Sequence, residues 1–308
     1  MKPALSVIFF TVASGFGLGL IIWTIIAEWC QNCAAGISKE TFFVCAVFSF
    51  VFVTAGLISS TLHLANPKNA WRAFSRFRTS WLSREGVFAI AFYVLAAHHV
   101  FAVWHDAPVT TRVVSGTLVI LCALAILYCT GMIYACLKTI PQWHSWTTPA
   151  GYVLFGIMSG LLGFCAIAAR GETDVGPWLR LALILLLLSF FLWTLKQSRI
   201  PITKNLQLGD ALGIKEGRVR LLDQGHTHGT FLTNEFGFRL ARKRATALSA
   251  WAIALGIIAP IVIVVVESST KPQGILGLAA LLCFVGLLIE RWMFFANARH
   301  VVMRYHGE

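Results

Sequence analysis

The chain has 308 residues, of which 57% are hydrophobic and only 12% charged, with a mean hydropathy of +0.75. A soluble domain carries about 45–50% apolar and about 25% charged residues, so a soluble enzyme with one buried core is excluded, as are a disordered chain, a collagen and a disulfide-stapled secreted domain. The formal net charge of +12 would suggest nucleic acid in a soluble protein; in so apolar a chain it points to topology and to lipid or partner contacts instead, with no nucleic acid.

Apolar stretches predict eight helices, over 4–28, 40–64, 86–104, 111–137, 149–169, 177–196, 246–267 and 273–296. Each offers about the 20 residues that a hydrocarbon core of about 30 Å requires. Helix is the only open segment that satisfies its own backbone in lipid. Prolines mark the breaks, at Asn66-Pro67, Pro108, Pro141, Pro149, Gly176-Pro177, Pro201 and Lys271-Pro272. The expectation is an all-α polytopic membrane protein, a single anchor domain over 1–308 with one sizeable loop at about 197–245.

Helix 1 has too long an apolar run for a signal peptide and ends in Ala27-Glu28-Trp29 rather than at a small-residue cleavage site. Cys30 and Cys33 follow in the first connecting loop, where a disulfide and inert thiols both fit. Helix 2 closes on His63 and helix 3 opens on Glu85, so the hairpin between them brings both groups to one membrane edge. The run from Trp71 to Arg84 is basic and amphipathic, with tryptophans suited to the interface. A histidine and a carboxylate at a water edge suit a quinone, whose reduction takes up two protons. Glu85 can equally cap helix 3 behind Ser80 or Ser83, with Arg84 neutralising it.

His98 and His99 lie near the outer end of helix 3. No histidine of helices 4 to 8 matches their depth, so a bis-histidine haem is not expected. Cys122, Cys129 and Cys136 recur every seven residues and share one face of helix 4, which reads as packing. His226 and His228 belong to the long loop, and Glu290-Arg291 reads as a local charge pair near the inner end of helix 8. Twenty of the twenty-five Lys and Arg residues fall on the side holding both termini. The positive-inside rule therefore predicts cytoplasmic termini.

The segments Leu62-His63-Leu64-Ala65-Asn66-Pro67, Arg72-Ala73-Phe74 and Ser80-Trp81-Leu82-Ser83-Arg84-Glu85 resemble the signature of the dimethyl sulfoxide reductase membrane-anchor subunit family. Gly131-Met132-Ile133-Tyr134-Ala135, Pro141-Gln142-Trp143-His144, Asn234-Glu235-Phe236-Gly237 and Ala241-Arg242-Lys243-Arg244 are similar to members of it as well. The resemblance implies eight helices, no haem, and a complex in the bacterial inner membrane. Its partners would be a molybdopterin catalytic subunit and a four-cluster iron–sulfur subunit, which alone carry those cofactors. It implies that a quinone (ubiquinone or menaquinone) binds near His63 and Glu85, with Arg84 and Trp81 beside them. Arg72, Arg76 and Arg78 are expected to dock the iron–sulfur partner or anionic lipid. Some members are fed by quinol and reduce S-oxides; others oxidise sulfite and feed quinone. A cytoplasmic hairpin favours the sulfite-oxidising type, and the quinol-fed reductase anchor is the alternative.

Overall fold

The computed structural model describes residues 3–30, 35–62, 67–171, 173–199, 244–269 and 274–301, together with Gly209, Leu212, Ile214 and Val219. Among these residues there is no strand, and eight helices are long and apolar enough to cross a bilayer. They are α1 (Leu5–Trp29), α2 (Lys39–Thr61), α3 (Trp81–Trp104), α4 (Val109–Ala135), α5 (Thr147–Ala168), α6 (Gly176–Arg199), α7 (Ala245–Ser269) and α8 (Leu276–Ala296). A 3-10 segment, Pro67–Arg76, joins α2 to α3. A π turn, Ala254–Ile258, interrupts α7. Alternation of direction puts the 3-10 segment, the turn after α4, the start of α7 and the end of α8 at one end of the bundle, the hairpin end.

Helix α1 is the axis. It packs on α2, α4, α5 and α8 and is buried along most of its length. Between helices in lipid there is no hydrophobic gain to be had, so association relies on close packing and on hydrogen bonds across the seam. The α1–α5 seam is glycine on glycine: a Cβ added to Gly19 would collide with the Gly156 carbonyl oxygen. Side chains then tie backbone to backbone. Ser49 Oγ donates to Gly17 O at 2.7 Å, Trp23 Nε1 to Ile157 O at 2.9 Å and Trp178 Nε1 to Ala35 O at 2.9 Å.

The outward faces are apolar. Val47, Phe48 and Val51 on α2, Leu187 and Phe191 on α6, and Val262 and Val266 on α7 are all exposed. Such continuous apolar surface suits a hydrocarbon solvent and is foreign to a water-facing bundle. Helix α3 lies at the periphery, packed chiefly on α4 and on the 3-10 segment. Helix α7 leans on α8, where an added Cβ on Gly286 would run into the Gly256 backbone nitrogen.

Candidate functional site

Helix α3 starts at Trp81, earlier than the apolar pattern suggests, with Ser80 as its N-cap accepting from Ser83 N at 3.3 Å. The cap is thus Ser80, and Glu85 sits in the second turn. Its side chain turns into the bundle, only 4% exposed, and receives the Thr130 hydroxyl of α4 on Oε1. Thr130 Oγ1 also lies 2.9 Å from Ile126 O. A hydroxyl has one proton to give. When Thr130 gives it to Ile126, the Glu85 contact is filled by a protonated carboxyl as donor; when Glu85 is ionised, Thr130 must give its proton to Glu85.

Arg84 does not neutralise Glu85. Its Nε donates to Phe77 O at 3.0 Å and its Nη2 to Arg78 O at 2.7 Å, while the guanidinium covers the Trp81 ring at 4.2 Å. It fastens the turn before α3, and Trp81 meets Tyr128 edge-on at 5.8 Å. Arg72, Arg76 and Arg78 are exposed and form no ion pair among the described residues. His63, Cys33, His226 and His228 lie outside the described residues.

A second line of polar groups crosses the hairpin end. Tyr134 of α4 and Tyr152 of α5 stack at 5.7 Å. The Arg291 guanidinium of α8 covers the Tyr152 ring at 3.8 Å. Glu290 takes Lys196 Nζ of α6 on Oε1 at 2.7 Å and has Arg291 Nη1 3.0 Å from Oε2. Glu290 and Arg291 are thus a triad with Lys196 rather than an isolated pair. Charges at this depth persist only when paired. The triad nonetheless leaves Tyr152 Oη, Glu290 Oε2 and Arg291 Nη1 without a well-directed hydrogen bond. Native proteins hydrogen-bond such atoms to protein, water or ligand.

Beside the triad lies a cavity of about 450 Å³, walled by Trp143, Trp193 and Phe294 and by Lys196, Ser249 and Glu290. Trp143 stacks on Phe294 at 5.3 Å and donates to its carbonyl at 2.9 Å. The turn after α4 is braced by His144 Nδ1 donating to Ala135 O at 2.7 Å and by Thr148 Oγ1 donating to Trp143 O at 2.8 Å.

The opposite end of the bundle has its own charges. Arg112 meets Glu28 at 2.6 Å, and Lys39 meets Asp106 at 2.5 Å. The hydrogen bond from Lys39 holds the exposed Asp106 carboxyl below the usual range, with the Lys39 and Arg112 charges assisting. His99 is buried with Nδ1 2.8 Å from Ser115 Oγ, and His105 packs on Phe101 at 4.2 Å. Among the described residues no group of three or more His, Cys, Asp or Glu could hold a metal ion.

The sequence singles out Glu85 but gives no sign of Thr130 beside it, nor of Tyr152 and Lys196 beside Arg291 and Glu290. In the sequence Tyr134 stands out only through a motif, and Lys196 not at all. The signal that could have found Lys196 is its position, on the last turns of an apolar helix where an unpaired ammonium is costly.

The family model described as DMSO reductase anchor subunit (DmsC) matches residues 1–296. The chain is 30% identical to the sulfite dehydrogenase C subunit of Allochromatium vinosum, over 99% of this chain and 99% of that protein. It is 26% identical to the C chain of the anaerobic dimethyl sulfoxide reductase of Escherichia coli, over 44% of this chain and 47% of that protein.

Proposed function

The chain belongs to the DMSO reductase anchor subunit family, and from that premise we propose that it is the quinone-reactive anchor of a molybdenum and iron–sulfur oxidoreductase. In this reading it passes electrons from cytoplasmic sulfite oxidation to a membrane quinone. The observation that carries the reading is the buried Glu85 carboxyl held by Thr130 near the hairpin end, since an ionisable group in a membrane-spanning helix is a functional candidate by default. Similarity along nearly the full length to a sulfite dehydrogenase subunit favours the sulfite direction. The excess of Lys and Arg on the hairpin side supports cytoplasmic termini in a bacterial inner membrane.

A bound quinone supplies the two-electron, two-proton chemistry of its ring. Glu85 exchanges a proton with one ring oxygen, and Thr130 follows by turning its hydroxyl between Ile126 and the carboxylate. His63 serves the second oxygen. Trp81 and Arg84, stacked on each other, close the site toward the hairpin. Arg72, Arg76 and Arg78 face the iron–sulfur subunit, through which the molybdopterin subunit is reached. This scheme needs no haem in the chain.

The test is sulfite-dependent reduction of a short-chain ubiquinone analogue by washed membranes, with the chain, without it, and with Glu85→Gln. The expected result is activity that requires both the chain and Glu85, with the partner subunits still membrane-bound in the variant. Activity indifferent to the chain overturns the sulfite reading. Quinol-driven S-oxide reduction by the same membranes then favours the second reading, a quinol-fed reductase anchor, which the similarity to the Escherichia coli protein supports.

A further inference from the structure

The cavity beside Glu290 is made by a feature of α7. Helix α6 packs against the π turn and the Ala259–Ser269 half of α7 but parts from the Ala245–Ile253 half. The π turn lies where the two helices diverge, and there the Gly256–Gly286 contact holds α7 to α8 instead. Such turns occur often at functional sites. The gap that remains at the hairpin end is the cavity, bridged by Gln197 Nε2 donating to Ser249 Oγ at 2.7 Å.

Its chemistry is specific. Two walls are flat aromatic surface, the Trp193 ring and the stacked Trp143–Phe294 pair. Lys196 spends one of its three protons on Glu290 and lies 4.6 Å over the Phe294 ring. Ser249 directs its proton at the Met293 thioether, 3.8 Å away, a weak acceptor that a carbonyl oxygen readily replaces. Two donors therefore remain available on different elements, α6 and α7. Lys196 and Arg291 share the one Glu290 carboxylate, and a phosphate entering the cavity would meet that carboxylate. An uncharged flat ring bearing two acceptor oxygens matches the two aromatic walls and the two donors.

We propose that this cavity is a second headgroup site for the membrane quinone, with Lys196 and Ser249 donating to its two oxygens, separate from the position at Glu85. Glu85 belongs to α3, which packs on α4, the 3-10 segment and α2 rather than on α6, α7 or α8. The inference rests on the chain being quinone-reactive, but not on Glu85 being the reactive position.

The experiment is equilibrium binding of ubiquinone-1 to the intact complex in nanodiscs, comparing the native protein with Lys196→Met, Ser249→Trp and Glu85→Gln. Two quinones per anchor are expected. Lys196→Met should weaken one of them by about tenfold, as loss of a hydrogen bond from a charged donor does. Ser249→Trp, which fills the space, should abolish that one, and Glu85→Gln should leave it in place. A single quinone lost with Glu85→Gln and indifferent to both cavity variants overturns the second site and leaves the proposed function standing. No quinone bound by the native complex overturns both. A phospholipid retained by the native complex and released by Ser249→Trp, with quinone binding unchanged, assigns the cavity to lipid and overturns the proposal.

Discussion

Thr130 of α4 and Glu85 of α3 share a hydrogen bond across a buried helix seam, and Ile126 O competes for the same hydroxyl proton. In the proposed function this pair serves a carboxyl group that gains and loses a proton. Thr130→Val keeps the shape and removes the partner. Quinone reduction is expected to fall about ten- to a hundredfold, since a hydrogen bond to a charged group is worth about 1.5–3 kcal/mol. Thr130→Ser should restore most of it. Equal loss in both variants would mean that the methyl packing of Thr130, not its hydroxyl, is what matters.

The hairpin end carries the orientation question. With Cys30, Cys33 and Cys136 replaced by serine and Arg78→Cys or Asp106→Cys then introduced singly, both at exposed positions of opposite ends, a membrane-impermeant thiol reagent should reach Asp106→Cys from outside intact cells and Arg78→Cys only after the membrane is opened. Reversed labelling would put the 3-10 segment outside the cytoplasm and favour the quinol-fed reductase.

Arg72, Arg76 and Arg78 project into solvent without ion partners among the described residues. Replacing all three with Glu should release the iron–sulfur subunit from the membrane and leave the anchor inserted. Retention of the partner at physiological salt would assign these residues to lipid. Exposed single charges contribute little each, about 0–1 kcal/mol, so the triple change is the informative one.

Glu28 and Arg112 form a 2.6 Å pair whose carboxylate side chain is 2% exposed. Arg112→Leu removes this cation from a buried carboxylate and should cost about 3–5 kcal/mol, read as a lower unfolding temperature of the purified complex. Adding Glu28→Gln should recover part of that loss, because the buried charge that Arg112 faces goes with it.

Glycine substitutions on α1 should separate by contact. At Gly19 a Cβ would collide with the Gly156 backbone, so Gly19→Ala should push α1 from α5 and lower the yield of folded protein. At Gly15 the nearest atom is 3.7 Å away, so Gly15→Ala should be tolerated. Equal tolerance at both positions would contradict the α1–α5 packing.

Eight helices were legible because spanning is a local property: a run of about 20 apolar residues, ended by proline or charge, is sufficient. Glu85 was legible for the same reason, as a carboxylate beside such a run. Its role as cap or as buried group was not. That depended on whether α3 begins at Trp81 or nearer Glu85, and Ser80 decided it through its bond to Ser83 N. The Glu290-Arg291 dipeptide could be read only as a neighbouring pair, since nothing in the order of residues ties position 196 to position 290.

The sequence by itself determined the solvent of this protein, the number of its spans and the family its motifs resemble, because hydropathy and backbone satisfaction act within one segment. The tertiary structure alone decided that Thr130 faces Glu85, that Lys196 closes on Glu290, and that α6 and α7 part to leave a cavity. Those pairings follow from how each helix is rotated and crossed against its neighbours. Rotation is set by contacts such as Gly19 on Gly156 and Gly256 on Gly286, between residues far apart in sequence, where packing and not composition carries the free energy.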